Sequence, residues 1–202
     1  MKHIPILFST PMVQAILEGR KTMTRRKVKL QPGEGEYYQL MEDGEFAYIS
    51  VGGMSGPYKC PYGQPGDILW VRETWQHTKN LGINPEDENS GYIYKCSENG
   101  QEWANNTENW VWKPSLFMKK EACRIFLKVT GVKVERLQDI STLDAIKEGV
   151  NPCTLNSQTG NYSFEYGFQK IWKEINGQKS WNDNPWVWCI SFERIEKPEN
   201  FK

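Results

Sequence analysis

The segment Trp186–Glu193, near the end of the chain, constrains the fold most strongly. Large apolar residues occur there at every second position: Trp186, Trp188, Ile190 and Phe192. Because successive side chains of a β-strand point to opposite faces of a sheet, a period of two places all four on one face. Four large apolar side chains on one face need a core to pack against. The sequence therefore predicts a globular sheet protein in which this strand covers the core.

Other segments have the patterns of strands and hairpins. Strands are predicted over three segments, with Gly131 favouring a β-bulge between the last two: Ile68–Glu73, Ile125–Thr130 and Val132–Glu135. Short hairpins are predicted at three places rich in turn or strand formers: Asp43-Gly44, Gly52-Gly53 and the surroundings of Tyr92–Tyr94.

Three further segments have the apolar spacing and the end signals of helices. The first begins after a cap at Ser9 or Thr10 and ends at Gly19. The second begins with a cap at Ser141 and runs to Glu148. The longest is predicted near residues 162–175, with one buried face made of Phe164, Phe168, Ile171, Trp172 and Ile175.

Together these elements predict an α+β protein, built as a small β-barrel with flanking helices. Residues 28–64 and 77–110 lack sustained periodicity, so we interpret them as two insertions. The strand-rich parts of the chain lie far apart in sequence, and neither has enough strands to close a barrel alone. We therefore expect one domain over residues 1–202.

Composition limits the classes of function. The 25 basic and 25 acidic residues cancel, so bulk charge does not hold this protein to nucleic acid. No apolar run approaches the ~20 residues of a membrane helix, and the first apolar stretch is too short for a signal peptide. We therefore expect a cytoplasmic location and no membrane partner. The five cysteines and two histidines lack the usual ligand spacing, so we expect no metal and no other cofactor.

The segment Arg20–Lys29 contains six basic residues and no acidic one. Such a run is often only a solvated face of a protein. In a chain that is otherwise neutral, however, six like charges repel one another unless an anion relieves the repulsion. Threonine hydroxyls are interleaved with the cations and can also bind phosphate. The candidate anion-binding residues are therefore Arg20, Thr22, Arg25 and Arg26.

Glu148 is predicted to end a short helix just before Gly149. The helix dipole disfavours a carboxylate at this end by up to about 1 kcal/mol. Two explanations stay open at this point. Either the helix end is frayed and Glu148 is exposed, or a cation faces the carboxylate and the pair belongs to a site.

Tryptophans flank two polar residues in the segment Trp70–Trp75. Tryptophans that alternate along a strand usually belong to a core, although some aromatic side chains stack on planar ligands. Trp70 is therefore included as a candidate ligand-binding residue.

Several segments resemble the sequence blocks of ASCH domains, which are similar to PUA domains: Ile16–Arg26, Pro65–Trp75, Val129–Val132 with Ile140–Gly149, and Asn184–Trp188. The last block resembles the version found in phage and prophage proteins. The resemblance reaches both ends of the chain, but the two insertions have no counterpart in short members of the family. It implies a PUA-like barrel with a cleft, and RNA or a nucleoside or nucleotide as the ligand.

The resemblance also implies an activity. Some short ASCH proteins are amidohydrolases that deacetylate N4-acetylcytidine, and their catalytic residues correspond here to Lys21, Thr24 and Glu148. A threonine hydroxyl is a weak nucleophile that needs a base, and Lys21 can act as one if nearby arginines and burial lower its pKa. On a regular strand Lys21 and Thr24 would face opposite ways, so the mechanism requires a bend at Thr22 or Met23.

Three functions stay open on this basis. The first is hydrolysis of N4-acylated cytidine, and the second is a non-catalytic module that binds RNA or a nucleotide in the same cleft. A ribonuclease is less favoured, because no clustered carboxylates or histidines can hold a catalytic metal. We expect Lys21, Thr24 and Glu148 to converge on one pocket. The Lys21 amine and the Thr24 hydroxyl should lie within hydrogen-bond reach or one water of each other.

Overall fold

The computed structural model describes residues 1–41, 45–50, 52–81, 91–107, 110–156 and 161–201. The strands, in chain order, are β1 (His3–Leu7), β2 (Met23–Lys27), β3 (Tyr37–Leu40), β4 (Phe46–Ser50), β5 (Gly53–Tyr58), β6 (Ile68–Arg72), β7 (Trp75–His77), β8 (Tyr92–Tyr94), β9 (Phe126–Arg136), β10 (Cys153–Asn156), β11 (Asn161–Ser163) and β12 (Trp186–Ile195). The helices are α1 (Thr10–Leu17), α2 (Glu98–Asn106), α3 (Thr142–Lys147), α4 (Phe164–Asn176) and α5 (Lys179–Asn182). The α+β class is therefore confirmed. Among these described helices, none combines the length and the apolar character that crossing a bilayer requires.

A five-stranded sheet forms the centre of the molecule, in the order β1-β6-β9-β12-β2. β1 and β6 are parallel, and the other neighbouring pairs are antiparallel. The two strands predicted on either side of Gly131 are one continuous strand, β9, because the chain does not turn there. The predicted bulge is present: Ser191 pairs with Gly131 and Phe192 pairs with Val129, so the register shifts at Thr130.

β12 is buried on both of its faces. The predicted face packs into the main core, where Trp188, Ile190 and Phe192 are each at most 3% exposed. The opposite face, which carries Val187 and Cys189, is also buried, against residues of α3 and α4. The sequence pattern indicated only the first of these faces, since alternation along the strand does not show that α3 and α4 cover the second.

The edge strands β1 and β2 approach each other through side chains. Arg26 in β2 donates from Nη2 to the carbonyl oxygen of Leu7 in β1, at a distance of 2.7 Å. The Arg26 guanidinium also lies over the ring of Phe8, 5.1 Å from its centroid. In the part of the chain that the structure describes, no backbone ladder joins the two edges, so the sheet is not closed into a barrel there.

The first predicted insertion, residues 28–64, contains the antiparallel sheet β3-β4-β5. Its aromatic side chains cover one part of the main core: the Phe46 and Trp188 rings are 5.1 Å apart, and the Tyr38 and Trp186 rings 5.8 Å. The hairpin predicted at Gly52-Gly53 joins β4 to β5 and is confirmed. The hairpin predicted at Asp43-Gly44 lies outside the described residues.

The second predicted insertion, residues 77–110, begins within the hairpin β7-β8, which the sequence predicted near Tyr92–Tyr94. An ion pair between the partly exposed Arg124 and the buried Glu73 lies beside this hairpin. Arg124 donates from Nε and Nη2 to the two carboxylate oxygens of Glu73, and both donor–acceptor distances are 2.9 Å. The same guanidinium lies 4.0 Å from the centroid of the Tyr94 ring, so the pair links β6, β8 and the start of β9.

The longest helix, α4, begins two residues and ends one residue after its predicted bounds. Only part of its predicted apolar face is buried. Phe168 and Trp172 are 5% exposed, but Ile171 and Ile175 are 36% and 54% exposed. Phe164 is partly buried, and the predicted buried face is therefore wrong for Ile171 and Ile175. These two isoleucines border a cleft between α4 and α1, which is described below.

Candidate functional site

The chain turns between α1 and β2 at Gly19, upstream of Thr22 and Met23, where the proposed mechanism requires a bend or a bulge. Gly19 has a φ of 74°, which an L-amino acid with a side chain rarely adopts. Lys21 then forms an isolated bridge with Glu148, and the regular strand begins only at Met23. Lys21 therefore lies outside β2, so the alternation of a strand does not decide where its side chain points.

Glu148 is placed by the short helix α3. The Ser141 hydroxyl accepts a hydrogen bond from the Asp144 backbone N–H at 3.2 Å, which confirms the predicted cap. Glu148 is the C-terminal cap of this helix, and Gly149 follows it with a φ of 77°. Because Glu148 is only 8% exposed, the frayed and exposed helix end considered above is wrong.

The Lys21 amine and the Glu148 carboxylate form a buried ion pair. Lys21 Nζ donates to Glu148 Oε2 at 2.7 Å, to the Glu148 carbonyl oxygen at 2.9 Å and to the Met23 carbonyl oxygen at 2.8 Å. The three hydrogens of the ammonium group therefore all have acceptors. Burial lowers the pKa of the Lys21 amine below its usual value of 10.5, against the opposing effect of the Glu148 charge.

The Arg25 guanidinium contacts three carboxylates of the same chain. Its Nη2 donates to Glu135 and, at 2.9 Å, to Asp144, while Nη1 lies 3.3 Å from Glu148 Oε1. Lys133 also bridges two of these carboxylates, Glu135 at 2.7 Å and Asp144 at 3.0 Å. Acids from β9 and α3 already neutralise Arg25, although it also lines the cavity beside β2, so its binding of an anionic ligand stays a prediction.

The charge balance of the basic segment differs from the sequence-based expectation. Lys21, Arg25 and Lys133 face an equal number of carboxylates, so this cluster of six side chains is neutral. In the described residues, the cations of this segment that have no carboxylate partner are Arg26, Lys27 and Lys29. An anion is therefore not needed to relieve repulsion around Lys21 and Arg25.

Thr24 and Glu148 line one small cavity of about 70 Å3 beside β2. Its walls also include Arg25, Arg26, Phe168 and Trp172. Lys21 lies behind Glu148 and is not part of the described wall. No hydrogen bond joins the Lys21 amine to the Thr24 hydroxyl within the described residues, because the amine donates instead to the carbonyl of Met23. Lys21 and Glu148 therefore meet in an ion pair, but only Glu148 and Thr24 share the cavity, so the predicted convergence of all three residues on one pocket is wrong for Lys21.

The remaining candidates lie outside this cavity. Arg20 is exposed, pairs with Glu18 and donates to the Gly149 carbonyl oxygen at 2.8 Å. The Thr22 side chain is exposed to solvent. Trp70 does not bind in the cleft, because it packs in a separate apolar cluster with Phe126 and Phe201. The expected role of Trp70 in ligand binding is therefore wrong.

Sequence patterns did not reveal Glu135, Asp144 and Lys133 as members of the cluster around Arg25. Asp144 had a visible signal, since it occupies the position that pairs with a helix cap at Ser141, but that signal indicates a helix start only. In the described ranges, no group of three or more His, Cys, Asp or Glu side chains is arranged to hold a metal ion. The absence of a metal cofactor stays a prediction.

Gly149 allows the close contact between α1, α3 and Lys21, and its replacement by alanine should disturb the site. A Cβ there would lie 2.8 Å from the Lys21 Cβ and 2.9 Å from the Ala15 Cβ, at a φ of 77°. We expect Gly149→Ala to lower the free energy of unfolding by about 2–4 kcal/mol, through backbone strain and overpacking together. Gly19→Ala is the matched control, because it has a similar φ and nothing within 4 Å. Urea denaturation measures both variants, and an equal loss of unfolding free energy in Gly149→Ala and Gly19→Ala would contradict the contribution of overpacking.

Comparisons with known proteins leave the family open. No family model matches the chain, and no curated protein sequence matches it. A solved structure with a distantly similar fold is the crystal structure of protein EF3133 from Enterococcus faecalis V583, described by the family model DUF984. It has a TM-score of 0.43 and 11% sequence identity, over 100% of this chain and 86% of that one. A likeness this distant carries no argument about function, which is therefore argued from the site itself.

Proposed function

We propose that the chain hydrolyses the amide of N4-acylated cytidine. One observation carries the proposal: Glu148, which forms a buried ion pair with Lys21, lines a cavity that Thr24 also lines. Apolar side chains of the same volume often replace a buried ion pair without loss of stability, so stability alone does not account for the pair. An acid and a base of this kind beside a hydroxyl are typical of a catalytic site.

We also propose that the chain is a long ASCH-type protein with a PUA-like barrel and a cytoplasmic location. The contact between Arg26 and Leu7 supports the barrel, because it bridges the two edges of the central sheet. The family rests on the resemblance of the sequence blocks. In the second block, Asp67 is buried and accepts hydrogen bonds from the backbone N–H groups of Lys2 and Gln64. The block thus has a structural role at the start of β6.

The proposed cycle begins when the Lys21 ammonium transfers one proton to the Glu148 carboxylate, which leaves the Lys21 amine neutral. The amine turns from the Met23 carbonyl towards Thr24 and accepts the proton of its hydroxyl as the Thr24 oxygen attacks the acyl carbon. The carbonyl electron pair moves onto oxygen. Arg26 lines the same cavity and stabilises the oxyanion, since it has no carboxylate partner among the described residues.

In the second step the C–N4 bond breaks and Glu148 protonates the departing nitrogen, which releases cytidine and leaves an acyl ester on Thr24. A water molecule then attacks this ester and gives its proton to Glu148. The ester bond breaks, the Lys21 ammonium returns a proton to the Thr24 oxygen, and the carboxylic acid leaves. Glu148 then returns the transferred proton to Lys21, so each side chain regains its initial protonation state and the cycle needs no co-reactant other than water.

The second candidate function is a non-catalytic module that binds a nucleoside, nucleotide or RNA in the same cleft. It is favoured by the three hydrogen bonds of the Lys21 amine, which are those of a structural ammonium group. In this case phosphate contacts would come from Arg26, Lys27 and Lys29, and binding would weaken with salt. Wild-type protein that binds N4-acetylcytidine without releasing cytidine would favour this candidate.

The experiment that tests the proposed function is hydrolysis of N4-acetylcytidine, followed by chromatographic separation of cytidine. We expect turnover by the wild type and a loss of at least about 100-fold in kcat/KM for Lys21→Ala. Lys128→Ala removes an exposed lysine of β9 that does not line this cavity, so it should retain wild-type turnover. Near-UV circular dichroism establishes that both variants are folded. Equal turnover by the two variants would contradict a role for Lys21.

A further inference from the structure

A second cavity, of about 260 Å3, adjoins the one that Thr24 lines. The two cavities share five lining residues: Met12, Glu148, Phe168, Ile171 and Ile175. The larger cavity lies between α1 and α4. In liquid water one molecule occupies ~30 Å3, so the smaller cavity has room for about two waters and the larger for roughly eight or nine.

The walls of the larger cavity are mainly apolar. Pro11 and Ala15 of α1 and Val150 after α3 complete the surface formed by the shared residues. Ile171 and Ile175 are partly exposed because they border this space instead of packing against another element. The exposed polar residues on its wall are Ser9 and Glu174. Such a space favours an apolar group over a charged one.

The smaller cavity has the opposite character. Arg26, Lys27 and Asn176 line it, and the last two are exposed to solvent. Because this cavity has room for only about two waters, the reacting amide enters it while the polar nucleoside extends past Lys27 and Asn176 into solvent. Because Glu148 belongs to both walls, a ligand whose amide lies at Glu148 has its two ends in different surroundings.

We propose that the apolar cavity between α1 and α4 binds the acyl group, and that the protein prefers apolar acyl groups longer than acetyl. This inference rests on the proposed function. The acyl carbon must lie at Thr24 and Glu148 during attack, and the acyl chain extends from there along Met12 and Ile171. Met12 and Ile171 are therefore specificity-determining residues.

The test compares three substrates: N4-acetylcytidine, N4-butanoylcytidine and N4-succinylcytidine. Burial of the two additional methylene groups of butanoyl should raise kcat/KM roughly tenfold over acetyl. The succinyl group has the same number of carbons but ends in a carboxylate, which the apolar wall and Glu174 disfavour, so its kcat/KM should lie below that of butanoyl.

Two isoleucine substitutions locate the effect. Ile171→Trp fills the apolar cavity, so it should lower kcat/KM for the butanoyl substrate more than for the acetyl substrate and thereby remove the preference for butanoyl. Ile146→Trp is the matched control, because Ile146 on α3 has 40% exposure, close to the 36% of Ile171, and lines neither cavity. Retained butanoyl preference in Ile171→Trp would overturn the assignment.

The outcomes also separate this inference from the function on which it rests. Equal kcat/KM for the acetyl and butanoyl substrates overturns the acyl site and leaves the hydrolase intact. A succinyl substrate that is turned over as fast as butanoyl does the same. Absence of cytidine release from all three substrates overturns the hydrolase, and the acyl site with it.

Discussion

Replacement of Arg25 by methionine is expected to lower the free energy of unfolding by about 3–5 kcal/mol at pH 7, because it removes one partner of a buried ion network. The Arg25 side chain has no exposed surface, and it contacts Glu135, Asp144 and Glu148. Methionine fills much of the same space, so the expected loss comes from carboxylates that lose their cation rather than from a cavity. Urea denaturation measures the change.

Arg25→Met should lower the free energy of unfolding by less in acid than at pH 7. Burial alone would raise the pKa values of Glu135 and Asp144, but hydrogen bonds from Lys133 and Arg25 hold them below the usual 4.5 and 3.8. Carboxylates with lowered pKa values stabilise the fold above their usual pKa, and this contribution is lost as the pH falls through the lowered values. The difference between wild type and Arg25→Met should therefore narrow below about pH 4.

Arg20→Met is the matched control for this prediction. Arg20 pairs with Glu18 at the surface, where both side chains are 42% exposed, so its loss should cost at most about 1 kcal/mol. Equal losses at Arg20 and Arg25 would contradict the buried network. A loss at Arg25 that is the same at pH 7 and in acid would contradict its electrostatic origin.

The parts of the site that local chemistry determines could be predicted from the sequence. Positive φ angles at Gly19 and Gly149, and the cap at Ser141, follow from residues within one turn of each element. Glu148 at a helix end indicated a facing cation, and Lys21 is that cation. The position of the Lys21–Glu148 pair relative to Thr24 was predicted less well, because the Lys21 amine donates to the Met23 carbonyl oxygen and no sequence pattern indicates that hydrogen bond.

The parts that depend on distant segments could not be predicted in this way. Arg25 lies in a run of cations, yet the acids that neutralise it are 110 residues away at Glu135 and 119 residues away at Asp144. The same reason applies to α4, whose apolar period does not show that Ile171 borders a cleft. Trp70 has the pattern of a core strand, and the fold places it in a core.

Replacement of Thr24 by valine is expected to abolish hydrolysis of N4-acetylcytidine, with a loss in kcat/KM of at least about 1000-fold. Valine has nearly the shape of threonine but lacks the hydroxyl that attacks the acyl carbon, and no other group on the described cavity wall replaces this nucleophile. The Thr24 side chain is 2% exposed and makes no hydrogen bond within the described residues, so the fold should be little affected. The expected change in unfolding free energy is below about 1 kcal/mol.

The most direct test of the central claim is kcat/KM for N4-acetylcytidine in a series of threonine variants measured side by side. Thr24→Ser keeps a hydroxyl and should retain measurable turnover, while Thr24→Val should show none. Thr22→Val removes a neighbouring exposed hydroxyl and should match the wild type. Turnover by Thr24→Val at the level of Thr22→Val would contradict the assignment of Thr24 as the nucleophile beside the Lys21–Glu148 pair.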